Sequence, residues 1–282
     1  MNRKVTLFAI SALLPFALLV VGFLLLPLIA MIHDSFLAAD GRTYTLEQYI
    51  TALTSPYYSK GIVNSLKISL YSSVIGMIIA FIVSYSITRM PKKIQNFMIT
   101  FSNLTSNFSG VPLAFAFIIL LGNSGLFTLL FKEWGWNMTE TFSLYSWSGL
   151  VAVYVYFQVP LAILLLYPAY SGIHKHWRES AALLGASNLQ FWLRIGIPVI
   201  LPSVVGTFSI LIANAMGAYA TAYALVGSNY NLMTIRIGSL IAGDVATQPQ
   251  LGSALAVILG LLMVGAMWMN ERLMRRFRRD LQ

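Results

Sequence analysis

Cysteine is absent from the 282 residues, and only three histidines occur, scattered along the chain. The first absence excludes a disulfide framework and any thiolate metal site, and the scatter gives no metal-binding spacing. Charge is also scarce: Asp, Glu, Lys and Arg make up 10% of the residues, against about 25% in a typical soluble domain. No G-x-x-x-x-G-K-[ST] loop is present, so the chain has no P-loop with which to cradle the phosphates of ATP. Nor does any long apolar run contain a carboxylate. Ionisable groups at membrane depth are expensive and are usually kept for function, as in ion relays, so the absence of carboxylates there counts against proton or sodium coupling through this chain. An intramembrane enzyme is disfavoured too, because no apolar run pairs a nucleophile with histidine or holds paired carboxylates.

What is present is hydrophobic: 58% of the residues. A helix crosses the bilayer core with about 20 apolar residues, and six runs qualify, at residues 8–32, 62–87, 98–121, 150–173, 195–225 and 251–269. The first follows Arg3 and Lys4 and imitates a secretory signal, but its apolar run exceeds the usual 7–15 residues or so and is read as a retained span. The expectation is an all-α polytopic membrane protein, residues 1–282 forming a single transmembrane domain. Alternating the connecting segments puts Arg3, Lys4, Arg89, Lys92, Lys93, Lys175, Arg178, Arg194 and the basic residues of 272–279 on one side. Arg42, Lys60, Lys132 and Arg236 fall on the other, with Lys67 just inside a span, and the positive-inside bias then places the N- and C-termini in the cytoplasm. The formal charge of +9 therefore reports orientation, with the basic C-terminal stretch a topology anchor that touches anionic lipid rather than nucleic acid. Asp34, Asp40, Glu47, Glu133, Glu140 and Asp244 lie in outward segments; Glu179, Glu271 and Asp280 lie in cytoplasmic ones. Outside, Thr45 to Gln48 fit a capping box opening a short helix, and Trp134 and Trp136 fit an interfacial amphipathic segment.

One cytoplasmic stretch stands apart, "ESAALLGASNLQFWLRIGIPVILP" from Glu179 to Pro202. Ala181, Ala182, Gly185 and Ala186 share a helical face by their spacing, a face without bulk that admits close approach, while Leu183 and Leu184 point elsewhere. Ser187 with Gln190 offers a capping box, so one short helix stops, turns at "GAS" and a second leads into the fifth span. From geometry alone, this knob is equally well mere punctuation between spans.

The spacing of Glu179, Ser180, Ala181, Gly185, Ile195, Ile197 and Pro198 resembles the E-A-A-x3-G-x9-I-x-L-P signature of binding-protein-dependent ABC importer permeases. Ser180 replaces the first alanine of the pair and Ile197 the leucine. Asn64, Ser65 and Leu66 stand at that family's usual N-S-L position. "LGNSGLF" and "LGASNLQFWLRIGIP" are similar to the branch that includes polyamine, aminoethylphosphonate, thiosulfate and ferric-ion importers. The resemblance implies the type I ABC importer permease fold, a bacterial cytoplasmic (inner) membrane location, and a coupling helix at about 178–187 within a coupling region at 178–198, seated on a separate ATPase. Glu179, Ser180, Ala181, Ala182, Gly185, Ala186, Ser187 and Pro198 would be its coupling residues. In that reading Glu179 holds the N-terminal end of the helix, Gly185 supplies close approach and the turn, and Pro198 fixes the exit into span five. It also implies two ABC ATPase subunits, which carry ATP and Mg while this chain carries no cofactor, a second and related permease subunit, and an extracytoplasmic solute-binding protein.

Polar residues inside spans mark a translocation path, because lipid-facing polar groups are penalised. The candidates are Ser102, Asn103, Ser106 and Asn107 in span three, where Gly110 and Pro112 interrupt regular helix, Tyr154 and Gln158 in span four, and Asn214 and Tyr219 in span five. Each has a plainer reading as a hydrogen bond to a neighbouring helix. A hydroxyl- and aromatic-lined path favours a polyamine or other amino compound through cation–π contact, with aminoethylphosphonate, ferric ion, thiosulfate or another small anion as the alternative. A passive channel or secondary transporter is the rival of another class, and a membrane scaffold is the third; neither needs both a docking knob and a polar stripe.

Overall fold

The computed structural model describes residues 13–243 and 247–279, with side chains described at 13–243 and 247–272. Arg3, Lys4, Asp244 and Asp280 lie outside the described residues, as do the side chains of Arg275, Arg276, Arg278 and Arg279. Among the described residues the structure is helical apart from one isolated bridge between Leu37 and Tyr44. Among the described residues six helical stretches are long and apolar enough to cross a membrane: Leu13–Asp34, Pro56–Thr88, Val111–Glu133, Trp147–Ser171, Asn188–Met216 and Pro249–Arg272.

In chain order the elements are α1 (Leu13–Asp34), α2 (Glu47–Thr54), α3 (Pro56–Thr88), α4 (Lys92–Ser106), α5 (Val111–Leu121), α6 (Leu126–Glu133), α7 (Met138–Thr141) and α8 (Trp147–Ser171). There follow α9 (Lys175–Leu183), α10 (Asn188–Phe191), α11 (Ile197–Met216), α12 (Tyr219–Val226), α13 (Met233–Ala242) and α14 (Pro249–Arg279). The run 98–121, in which Gly110 and Pro112 interrupt regular helix, is two helices, and the chain breaks between Ser106 and Val111. The run 195–225 breaks likewise, between Met216 and Tyr219.

Two wider π turns, Val21–Leu25 and Trp192–Gly196, have one cause. Each is followed two residues later by proline, Pro27 and Pro198. A proline has no N–H, and its ring would collide with the carbonyl four residues back. The turn expands instead, and the N–H before each proline reaches five residues back: Leu26 to the Val21 carbonyl and Ile197 to the Trp192 carbonyl.

The chain forms two compact units. One comprises the described residues of Met1–Gly61 and Arg236–Gly260. In it no described residue of α1 is buried, although the helix is apolar all round, the composition of a surface suited to lipid or another protein. Below α1 the Ser35 hydroxyl donates to the Ile32 carbonyl at 2.6 Å and lies 2.7 Å from the Tyr49 hydroxyl. The expected capping box at Thr45 does not form: α2 starts at Glu47, and the Thr45 hydroxyl accepts the Glu47 N–H instead. In the same unit the Arg236 guanidinium lies 4.6 Å from the centre of the Tyr57 ring.

The other unit comprises Ile62–Ile235 and the described residues of Leu261–Gln282. Its axis is α8, which runs through both apolar cores. One core gathers Ile68, Leu113, Tyr154, Phe157, Ala215 and Leu225; the other gathers Ala80, Ile87, Ala162, Leu166, Ile200 and Leu211. α3 meets α8 closely at Gly76, where a Cβ would stand 3.2 Å from the Gln158 Cβ. One turn along, the Gln158 amide donates to the Ser72 and Ser73 hydroxyls at 3.2 and 3.1 Å. Small residues with hydroxyl partners are the usual means by which membrane helices approach, since apolar contact alone gains nothing over lipid. Asn64 and Ser65 have a structural office: Asn64 donates to the Asn231 carbonyl, and the Ser65 hydroxyl accepts the N–H of Met233, the first residue of α13.

Candidate translocation cleft and coupling segment

The breaks in the third and fifth runs face one another. α4 ends at Ser106, and Gly110 turns the chain into α5 with φ 74° and ψ −146°, a conformation open in practice only to glycine. Pro112 then sits in the first turn of α5, where its missing N–H costs nothing. Across from it α11 gives way to α12 at Gly217 and Ala218. The Gly110 N–H donates to the Thr221 hydroxyl at 2.9 Å, and the Tyr154 hydroxyl donates to the Ala218 carbonyl at 3.1 Å. Each interrupted backbone thus gains a side-chain partner from another helix, the condition under which irregular backbone persists at membrane depth.

Between the breaks lies an open-sided cleft of about 670 Å³, within the range of about 300–1,000 Å³ common for small-molecule sites. Ser106, Asn107, Asn214 and Tyr219 line it, together with Gly110 and Thr221, and among the described residues no charged side chain does. The Tyr219 ring stacks on Tyr223, centroids 5.3 Å apart.

The other four path candidates lie elsewhere. Asn103 is exposed, and its carbonyl accepts the Asn107 amide and the Ser106 hydroxyl, which ties the last turn of α4 to itself. Ser102 is buried. Tyr154 and Gln158 are buried in helix contacts, with the Gln158 Oε1 left without a partner. Phe157 and Leu161, four residues apart on α8, form that helix's contribution to the cleft. Reasoning from polarity passed over them, because α8 is apolar nearly all round and its sequence does not announce which stripe faces the opening.

The segment quoted from Glu179 forms a compact turn of helices. α9 begins at Lys175, earlier than position 178, so Glu179 sits in mid-helix rather than at its N-terminal end. There it pairs with Lys175 one turn back and with His176, each at 3.3 Å, and the Lys175 hydrogen bond and charge hold its carboxyl below the ordinary range. Gly185 is not on the helical face either. At φ +81° it follows the end of α9, and its N–H and that of Ala186 return to the Ala182 and Ala181 carbonyls at 3.0 and 2.9 Å, a Schellman closure. The capping box at Ser187 and Gln190 then forms with both of its bonds and opens α10. Pro198 stands in the first turn of α11, after the π turn.

The face presented outward differs from the small-residue face. Ala181 is buried and Ala186 half-buried, while Ser180, Ala182 and Ser187 are exposed. Leu183 and Leu184 are each 89% exposed and Leu189 69%, so the tip of the knob is aliphatic. No atom would meet a Cβ at Gly185 within 4 Å.

Comparison with known proteins places this geometry. Residues 72–279 match the family described as the inner membrane component of binding-protein-dependent transport systems. The chain is 26% identical over 275 residues to the ferric transport system permease protein FbpB of Actinobacillus pleuropneumoniae, covering 94% of this chain and 39% of that one; it thus spans about two-fifths of that relative's length. It is 23% identical over 262 residues to the spermidine/putrescine transport system permease protein PotB of Escherichia coli, covering 90% of this chain and 94% of that one. Among solved structures, the bacterial alginate ABC transporter in complex with an alginate pentasaccharide-bound periplasmic protein superposes with a TM-score of 0.75 at 17% identity, over 97% of this chain and 96% of that one. The expected all-helical importer-permease fold is therefore the fold observed, and the family match covers most of its length. The chain belongs to the family of binding-protein-dependent transport system inner membrane components.

Proposed function

We propose that the chain is one half of the membrane pathway for a polyamine such as spermidine or putrescine, or a related amino compound. The observation that carries this reading is the cleft: aromatic, amide and hydroxyl groups surround about 670 Å³ without a fixed charge. Tyr219 offers a π face to an ammonium group, and the amide oxygens of Asn107 and Asn214 accept its hydrogens. Among the described residues no cation lines the cleft to neutralise an anion.

The rest of the assembly follows from the same reading. A cleft open on one side closes against a second, related permease, and an extracytoplasmic binding protein delivers the solute to it. The termini lie in the cytoplasm, and the knob from α9 to α10 docks on one of two ATPases that hold ATP and Mg. Closure of the ATPases draws the knobs together and switches the cleft between its two openings.

The test is uptake into proteoliposomes that hold the complete transporter and its binding protein, with ATP enclosed. Labelled spermidine or putrescine should accumulate, and Tyr219→Ala should lower the rate roughly fivefold or more for a lost cation–π contact of about 1 kcal/mol. Accumulation of ferric iron or a small anion in place of the amine would overturn the substrate assignment.

A further inference from the structure

A second cavity, of about 280 Å³, lies apart from the cleft, where the C-terminal ends of α3 and α8 meet α4, α9 and the start of the π turn. Arg89, Lys92 and Arg178 line it, along with His174 and Lys175, and among the described residues no carboxylate does. Lys175 is engaged by Glu179 and Arg89 lies 4.6 Å over the Tyr85 ring, but among the described residues no ion pair involves Arg89, Lys92 or Arg178.

Cations near the carbonyl ends of helices have an ordinary explanation, since they complement the helix dipole. Three observations go beyond it. The carbonyls of Thr88 and Met90 at the end of α3 already accept the Gln95 amide, at 3.2 and 2.8 Å, so the cations are not needed to satisfy them. Tyr170 lines the same cavity 4% exposed, and its hydroxyl is buried with no hydrogen-bond partner. α9 also begins there, at His174 and Lys175, with no side chain capping its first turn. Cations without an ion pair, an unpartnered hydroxyl and an uncapped helix start are all groups that an anion with several acceptor oxygens would satisfy together.

We infer that this cavity is a site for a phosphate group carried by an anionic phospholipid headgroup. The cavity's place at the ends of two membrane spans puts it at headgroup depth. Tyr85, Tyr167 and Trp192 frame it with the amphipathic rings that favour that depth. The aliphatic tip at Leu183 and Leu184, which suits a protein partner, contributes nothing to its lining. The bound phosphate links the start of α9 to the span ends, so its occupancy steadies the base of the knob.

The test uses the full chain, purified from membranes with whatever companions it retains and placed in nanodiscs of equal phosphatidylglycerol and phosphatidylcholine. Retained lipid is counted by native mass spectrometry. Phosphatidylglycerol should be held in preference, and the double variant Arg89→Gln with Arg178→Gln should weaken retention roughly fivefold for each cation removed. Tyr170→Phe keeps the ring and its packing and removes only the unpartnered hydroxyl; it should lower retention while the protein stays folded. Arg272→Gln, which alters a basic residue outside the cavity, serves as the control.

Four results would overturn the assignment. Equal loss with Arg272→Gln would reduce the effect to general attraction between charges. Retention that survives both the double variant and Tyr170→Phe would put the lipid elsewhere. Thermal stabilisation by inorganic phosphate in phosphatidylcholine-only discs, without selectivity for phosphatidylglycerol, would assign the site to a soluble anion. Loss of a companion ATPase with lipid retention unchanged would assign it to an acidic surface of that protein.

Discussion

Gly196 shows how much a single methyl group decides in this molecule. It is buried inside the π turn, and a Cβ there would stand 2.3 Å from the Trp192 ring. The ring cannot retreat freely, because it packs edge-on against Tyr85 and Phe191, at centroid distances of 5.3 and 5.9 Å. Gly196→Ala should therefore destabilise the purified protein by about 1–3 kcal/mol, as overpacking does, and lower its Tm in detergent. Gly185 fails for a different reason. It has open space on every side, but its φ of +81° makes any side chain strained, so Gly185→Ala should cost about 1–2 kcal/mol with no packing change. Glu179 is the contrast. Its folded value is lowered by Lys175 and His176, so the pair's contribution is present at neutral pH and is lost as pH falls through that lowered value. The pair is exposed on both sides, and Glu179→Gln should leave the Tm at neutral pH unchanged within error.

At the scale of elements, the paired helix breaks carry the site, and one hydrogen bond joins them. Thr221→Val keeps the shape of the side chain and removes the acceptor for the Gly110 N–H. An unsatisfied N–H in this half-buried place should cost about 1–3 kcal/mol, measured as a fall in Tm. Solute uptake should fall with it, because the two breaks then move independently. Gly110→Ala should do the same by strain at φ 74°. Local signals such as Gly110, Pro112 and the Ser187 capping box were legible in the sequence, since each is a matter of a few neighbouring residues. Thr45 looked equally local, yet its hydroxyl had a nearer donor in Glu47. Which polar residues face the cleft was legible only in part. On α8, Tyr154 and Gln158 look like lining residues, but Gly76, Ser72 and Ser73 on α3 draw Gln158 into a helix contact. That outcome depends on a partner more than eighty positions away, which no spacing within α8 encodes.

For the molecule as a whole, the proposed function needs force from a partner to enter this chain, and the knob is the place proposed for its entry. In the segment that opens with α9 at Lys175, Ala181 is buried while Leu183 and Leu184 are exposed. At 89% exposure these two leucines support nothing within the chain, and Leu183→Ser with Leu184→Ser should change the Tm by less than about 0.5 kcal/mol-equivalent, as surface changes do. If the aliphatic tip fills a groove on the ATPase, burial of two leucines supplies about 1.5–3 kcal/mol each, and their loss should weaken the ATPase interaction more than tenfold. The measurement is co-purification of the ATPase with the permease, beside the thermal stability of the permease itself. A variant that keeps its stability and loses the ATPase locates the joint at the tip. One that keeps both moves it to the small-residue surface at Ser180 and Ala182, and a bulky residue at Ala182 becomes the substitution that breaks the coupling.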